Sequence, residues 1–342
     1  MKKRKDTKPG YARLLDAWIP PVDCGDPIGC LVTSFTFSSA FFEEECLGRF
    51  VKLETDSAED GAAFLIEREE KFSQLVCAAA LVDQRHAQGM RSLRWDLLGV
   101  RLPAGILHAK ISLLLWSNCA RLIIASANLT EDGYRRNQEV FGVLDYQINS
   151  TSPLSALDDV LVFLESIVGY VDPRASVPDA AVSRCTRFFE KVRSLTRTWG
   201  VAELQRGASS RIDVVLTGPE RTSAIEQIKN VWGESSLPEK AWVVSPFFDP
   251  PDAPNLPARE IWTCLRQRGD ASVCYLARGE QIEGSKEMRL FAPESLRWKP
   301  PNRPVSVEFQ QLELESTRPL HAKTLWFEGS DKFLYFCGSS NF

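Results

Sequence analysis

The chain has 342 residues, 44% hydrophobic and 25% charged, with a formal net charge of −4. That length suits two domains or one large duplicated one with a sizeable core, and the acidic balance excludes a broad basic coat for non-specific duplex binding while leaving room for a local basic cleft. No apolar run is long enough for a membrane-spanning helix, and nine cysteines without a CxxC pair read as reduced, buried thiols of a cytoplasmic protein.

In chain order, the opening MKKRKDTKPG is basic with no apolar core behind it, so it reads as a disordered tail and not a secretory signal. Tyr11 to Ile19, apolar at Leu14, Leu15, Trp18 and Ile19, predicts one short helix stopped by Pro20-Pro21. Cys30 to Phe37 is a predicted strand; Ser38 or Ser39 caps the next helix, where Glu43, Glu44 and Glu45 form a solvated face. Phe72 to Val82 and Leu93 to Val100 are predicted strands, with His86 between them on a surface loop or, alternatively, lining the cleft. Asp132-Gly133 signals a turn, Val140 to Leu144 a buried strand, and Ser155 to Val171 a helix. Pro173 to Pro178 marks a boundary, Ala180 to Thr198 a helix bridging two halves, and Arg206 to Ser210 a flexible connector. These divide the chain into a tail with a short helix (1–24), a first lobe (25–172), a linker helix (173–208) and a second lobe (209–342).

The two lobes repeat one pattern. Gly105 to Asn128 holds His108, Lys110, Ser126 and Asn128; near the C-terminus His321, Lys323, Ser339 and Asn341 recur, with the same step of 20 residues from His to Asn. Each copy has two apolar runs around a polar turn, Ile111 to Trp116 with Leu122 to Ala125, and Thr324 to Phe327 with Phe333 to Cys337, which predicts a β-hairpin. The repeat extends upstream: Ala241 to Phe248 matches Cys30 to Phe37, and Ser245 precedes His321 by 76 residues as Ser34 precedes His108 by 74. Ser272 to Ala277 and Val305 to Leu314 match the two strands between. Phe35, Phe37, Phe247 and Phe248 fall at equivalent strand ends, as core residues or as platforms for a base or aromatic leaving group. Pro250 to Pro257 and Glu280 to Pro304, with Trp298, Lys299 and Arg303, have no match and read as specificity loops. The sequence stops one residue past Asn341, so the second lobe is expected to lack a last strand, which a partner protein or a missing segment would supply, unless that strand is dispensable.

Strand alternation points His108 and Lys110 the same way, and a hairpin brings Ser126 and Asn128 beside them. Two such sets facing each other offer two imidazoles, two ammonium groups and two carboxamides, an inventory that fits a phosphodiester. Lysines and amides would take up charge at a five-coordinate phosphorus; one imidazole would attack and the other would protonate the leaving oxygen and then activate water. No metal and no cofactor is expected.

The paired motifs resemble the phospholipase D superfamily, whose pattern is HxKxxxxD followed by GSxN. Leu115 stands at the acid position of the first copy and Ala125 replaces the glycine; the second copy has Glu328 at the acid position and an intact Gly338-Ser339-Ser340-Asn341. Loss of the first acid looks more like tyrosyl-DNA phosphodiesterases than like lipid-cleaving members, and Glu139 matches the polar or acidic residue the family places about eleven positions past the first Asn. The resemblance implies an α/β protein of two similar lobes, each a mixed β-sheet flanked by helices, with the active site at their pseudo-twofold interface. It implies a covalent phosphohistidine on His108 with His321 as general acid, though the residues alone permit the reverse. Lys110, Lys323, Asn128 and Asn341 would bind the phosphate, and Ser126, Ser339, Glu139 and Glu328 would orient that shell. In that fold Tyr134, Arg135 and Arg136 either contact the leaving group or a flanking phosphate, or form an exposed turn. The expected activity is a metal-independent phosphodiesterase on nucleic acid, a nuclease or end-processing enzyme. The alternatives are a phospholipase or transphosphatidylase, and a non-catalytic nucleic-acid-binding or scaffold subunit.

Overall fold

The computed structural model describes residues 13–55, 59–89, 92–172, 179–199, 211–250, 252–266, 270–285, 287–297, 305–312 and 318–341. Two sheets carry the fold. The first is built from β1 (Pro27–Ser34), β2 (Cys77–Asp83), β3 (Asp96–Val100), β4 (Ile111–Trp116), β5 (Ala120–Ala125) and β6 (Phe141–Tyr146), in the order β3-β2-β1-β4-β5-β6. Strands β1, β2 and β3 run parallel; β4, β5 and β6 join antiparallel. The second contains β7 (Lys240–Val244) and β8 (Ala271–Ala277), then, past the separate short hairpin of β9 (Gly279–Gln281) and β10 (Met288–Leu290), β11 (Val305–Gln311), β12 (Thr324–Glu328) and β13 (Phe333–Cys337). Its order, β11-β8-β7-β12-β13, reproduces the first sheet strand for strand with the same mix of directions. Among the described residues β6 alone has no counterpart. The duplication read from the Ser34 and Ser245 spacings is therefore a duplication of topology.

Apolar residues fill both faces of the first sheet. One face, with Cys30, Val32, Leu114 and Trp116, packs under the 3₁₀ turn Leu14–Trp18, the π-helix Phe41–Leu47 running into α1 (Gly48–Phe50), and the end of α2 (Ala62–Ser73). The other, with Leu31, Leu113, Leu115 and Leu122, packs under α3 (Leu154–Val168) and α4 (Asp179–Thr198). In the second lobe α5 (Ala224–Trp232) and α6 (Leu256–Cys264) cover Ala241, Val243, Leu325 and Phe327 on one face. Among the described residues no helix is long and apolar enough to cross a membrane. All nine cysteines are free thiols, eight of them buried.

Three expectations change. The helix expected over Tyr11 to Ile19 is one 3₁₀ turn. Phe72 and Ser73 end α2 instead of opening a strand; β2 starts at Cys77. Helix α4 is no free bridge: Ala181, Cys185, Phe188 and Val192, spaced for one helical face, are all buried in the first lobe's core. The boundary at 173–178, the connector at 206–210, the basic residues 1–12, and Trp298, Lys299 and Arg303 lie outside the described residues.

The two acid positions of the motifs part company here. Leu115 pairs across β4 with Gly29 and is fully buried; a Cβ at Gly29 would meet the Cys77 carbonyl oxygen at 2.5 Å. Glu328 pairs across β12 with Lys240, half-exposed, their charges 3.7 Å apart. Leu115→Asp is therefore expected to cost more than about 3 kcal/mol by burying a carboxylate without a partner. Glu328→Leu is expected to cost less than about 1 kcal/mol, the worth of an exposed pair. Urea denaturation of the two variants checks this.

Candidate active site

The site forms where the C-terminal ends of β1 and β5 meet the segment entering β4, facing the same constellation of the second lobe. Thr33 on β1 fixes that segment: its hydroxyl donates to the Ala109 carbonyl (2.9 Å) and accepts from the Ile111 amide (3.0 Å). Buried Asp83 accepts from the Leu107 amide at 2.9 Å, immediately before His108. Ser34 holds the turn after β5, accepting from the Leu129 amide at 2.9 Å and donating to the Thr36 carbonyl at 2.6 Å. Ser245 makes the matching bond to the Phe247 carbonyl, also 2.6 Å. Gly133 lets the π-helix Asp132–Arg136 lie against that turn, since a Cβ there would meet the Asn128 carbonyl at 2.2 Å.

The lobes clasp through backbone. The Gln138 amide donates to the Pro319 carbonyl (2.8 Å), and the Gln138 carbonyl accepts from the amides of His321 (2.9 Å) and Ala322 (2.8 Å). This sets Glu139 beside His321, whose Nδ1 lies 2.6 Å from the Glu139 carboxylate, a close approach off the line of a full hydrogen bond. Glu139 also accepts from the Ser126 hydroxyl and from the Asn137 side-chain amide at 3.4 Å. In the opposite sense, His108 Nδ1 lies 3.0 Å from the Ser339 carbonyl oxygen. A carbonyl only accepts, so Nδ1 carries the proton and Nε2 keeps its lone pair. Each ring is thus held by a group from the other lobe.

Both lysines are buried and fold back on their own histidine's carbonyl, Lys110 at 2.8 Å and Lys323 at 2.6 Å. Burial, together with the charge of Lys323, brings Lys110 down to about 7; burial brings Lys323 down to about 8, against the opposing pull of Glu139. His108 is lowered to about 4 by burial first and then by Lys110 and Lys323, with His321 also acting on it. Asn128 uses its side-chain oxygen to accept from the Phe35 and Thr36 amides at 3.3 and 3.4 Å. Aromatic rings sit by each histidine: Phe35 is 5.5 Å from His108 and 4.5 Å from His86, and half-exposed Phe247 is 5.7 Å from His321. Among the described residues no group of three or more His, Cys, Asp or Glu is set to hold a metal ion.

Two cations with one carboxylate make a receptor for an anion. A bound anion favours protonated lysines, so its affinity is expected to be highest below pH 7. It should then fall by up to about tenfold per pH unit above 7, where Lys110 discharges, and more steeply above 8. Calorimetry with sulfate, which does not titrate in this range, reads this out; affinity flat from pH 6 to 9 would show that the lysines do not bind the anion.

The structure gathers His108, Lys110, Ser126, Asn128, Glu139, His321, Lys323 and Ser339; Asn341 lies exposed on the rim. Three expected site residues lie elsewhere. Glu328 sits at the far end of β12, roughly 20 Å from His321 at the rise of an extended chain. Tyr134 packs on Phe41, and its hydroxyl accepts from the Trp18 indole at 3.4 Å. Arg135 pairs with Glu45 at 2.6 Å and Glu131 at 3.0 Å. Thr33, Asp83 and Gln138 were missed, because a lone hydroxyl, carboxylate or backbone clasp has no spacing signature. His86 stays in the loop after β2, half-buried, with its ring against Phe35.

The architecture is that of two similar lobes, each a mixed β-sheet flanked by helices, joined at a pseudo-twofold seam. The particular likeness is to yeast tyrosyl-DNA phosphodiesterase: TM-score 0.53 at 10% identity, over 96% of this chain and 80% of that one. A mutant form of the yeast protein gives 0.51 at 10% identity, over 92% and 77%. At that identity the likeness is one of fold. No family model and no curated protein matches the chain in sequence.

Proposed function

We propose that this protein is a phosphodiesterase acting on nucleic acid through a phosphohistidine intermediate. One observation carries the reading: each histidine's Nδ1 is held from the opposite lobe, one by a neutral carbonyl and one by a carboxylate. His108, held by the carbonyl and lowered to about 4, stays neutral and nucleophilic at physiological pH. His321, its Nδ1 set 2.6 Å from the Glu139 carboxylate, is oriented by that group and serves as general acid.

In the first step Nε2 of His108 attacks phosphorus, the bond to the leaving oxygen breaks, and His321 gives that oxygen its proton. In the second, His321 takes a proton from water, the hydroxide attacks phosphorus, and the P–N bond breaks. Lys110 and Lys323 neutralise the non-bridging oxygens in both, supplying the charge a metal would otherwise bring. Nucleic acid is favoured by the fold shared with a tyrosyl-DNA phosphodiesterase. A phospholipid is the second reading, favoured by exposed Ile106, Val143, Phe333 and Tyr335 along the cleft beside the site.

The test is turnover of 3′- and 5′-blocked oligonucleotides beside phospholipid vesicles, all in EDTA. Release from an oligonucleotide is expected. Cleavage of vesicles alone would transfer the assignment to lipid, and turnover lost to the chelator would end the metal-free chemistry.

A further inference from the structure

Two phenylalanines touch the site histidines, and their surroundings differ. Phe35 is half-buried between His108, 5.5 Å away, and His86, 4.5 Å away. Among the described residues Phe247 meets one ring, that of His321, at 5.7 Å and nearly perpendicular, and it is 51% exposed.

A single exposed phenylalanine is ordinary on a protein surface. Three contacts set this one apart. Its ring lies over the Lys323 ammonium at 5.5 Å, and Lys323 has no exposed surface, so the ring stands between that cation and solvent. Its backbone is pinned by buried Ser245, whose hydroxyl accepts from the Phe247 amide at 3.3 Å and donates to the Phe247 carbonyl at 2.6 Å. The next residue, Phe248, packs the other way, 6.3 Å from the Tyr275 ring in the core of the second lobe. A turn anchored on both flanks displays its ring in one place, which lowers the ordering cost of recognising a planar group.

The first lobe has no such ring. Ser34 donates to the Thr36 carbonyl as Ser245 donates to that of Phe247, so Thr36 stands at the position of Phe247. The half-exposed ring therefore marks the His321 side of the seam. Under the phosphodiesterase reading His321 protonates the leaving oxygen, so the leaving group departs past Phe247.

We propose that Phe247 is the stacking platform for the base of the departing nucleoside, which makes the substrate a diester between two nucleosides. Every base has a π-face that such a ring can take. A phenol is also planar, but a phenolate leaves with little proton transfer, whereas a sugar hydroxyl needs the acid that His321 supplies. The side on which the base lies rests on the phosphodiesterase reading; the stacking itself does not.

The test uses three dinucleoside monophosphates: one with both bases, and one with an abasic residue on either side of the phosphate. The products identify the nucleoside that leaves. Removing the leaving base is expected to lower kcat/KM by about 5- to 150-fold, the range for one base–aromatic stack. Phe247→Leu should lose that preference, and Phe247→Trp should keep it. Removing the retained base should cost the unaltered protein and Phe247→Leu the same factor, a result that a merely structural Phe247 would not separate from the first. A preference that survives in Phe247→Leu, or coupling of Phe247 to the retained base, would overturn the proposal. Turnover of thymidine p-nitrophenyl phosphate without any coupling to Phe247 would sink the platform and leave the phosphodiesterase reading standing. If no diester is cut, fluorescence anisotropy with oligothymidylate and its fully abasic counterpart decides: Phe247→Leu must weaken binding of the first alone, and equal binding of both by the unaltered protein, or of neither, would end the platform.

Discussion

His108→Asn is expected to abolish turnover, a loss of about 10⁴–10⁶-fold, because no other group at the seam supplies a nucleophilic nitrogen aimed by the Ser339 carbonyl. His321→Asn is expected to lose a similar factor with alkoxide leaving groups, but by a separable route. With a p-nitrophenyl ester the leaving oxygen needs no proton, so the first step proceeds and the second stalls for want of a base. Phosphorus then stays on His108, as a label that is acid-labile and base-stable on a denaturing gel. The double variant should show neither label nor turnover. If His108→Asn retained the label and His321→Asn lost it, the two roles would be exchanged, an outcome the paired motifs alone permit. Both rings are only partly buried and asparagine is smaller, so little change in Tm is expected.

How far the sequence anticipates this depends on the kind of contact. The equal step from His to Asn and the near-equal Ser34 and Ser245 offsets set the registers of two sheets, and the hairpins over 111–125 and 324–337 form as expected. Those features are legible because alternation and burial act along one strand. Helix α2 is not legible: in Ala62–Ser73 only Phe72 is buried, so no apolar stripe announces it. Tyr134 and Arg135 follow a turn signal, but their partners Trp18, Phe41 and Glu45 are some ninety or more residues upstream, and those partners decide where the side chains go. Glu328 satisfies the motif spacing, yet an extended strand carries it away from the site, where Lys240 takes it. Glu139 is legible only through the family resemblance, and the Ser339 carbonyl, being backbone, leaves no trace in any spacing.

Glu139→Gln separates positioning from chemistry. The carboxylate holds three contacts, from Ser126, Asn137 and His321. A carboxamide of the same size keeps the packing but loses the negative charge 2.6 Å from His321 Nδ1. Release of alkoxide leaving groups is expected to slow by about 10²–10⁴-fold, the range for removing the acid behind a catalytic histidine. Release of p-nitrophenolate should slow by less than about tenfold, since its departure needs little proton transfer. Glu139→Asp keeps the charge on a shorter arm and should recover part of the loss. A merely structural glutamate would give equal losses for both leaving groups, and the aspartate would not distinguish them. If that equal loss were measured while sulfate binding kept its pH dependence, the lysines would remain the anion receptor and His321 would have to be oriented by its backbone clasp to Gln138 alone.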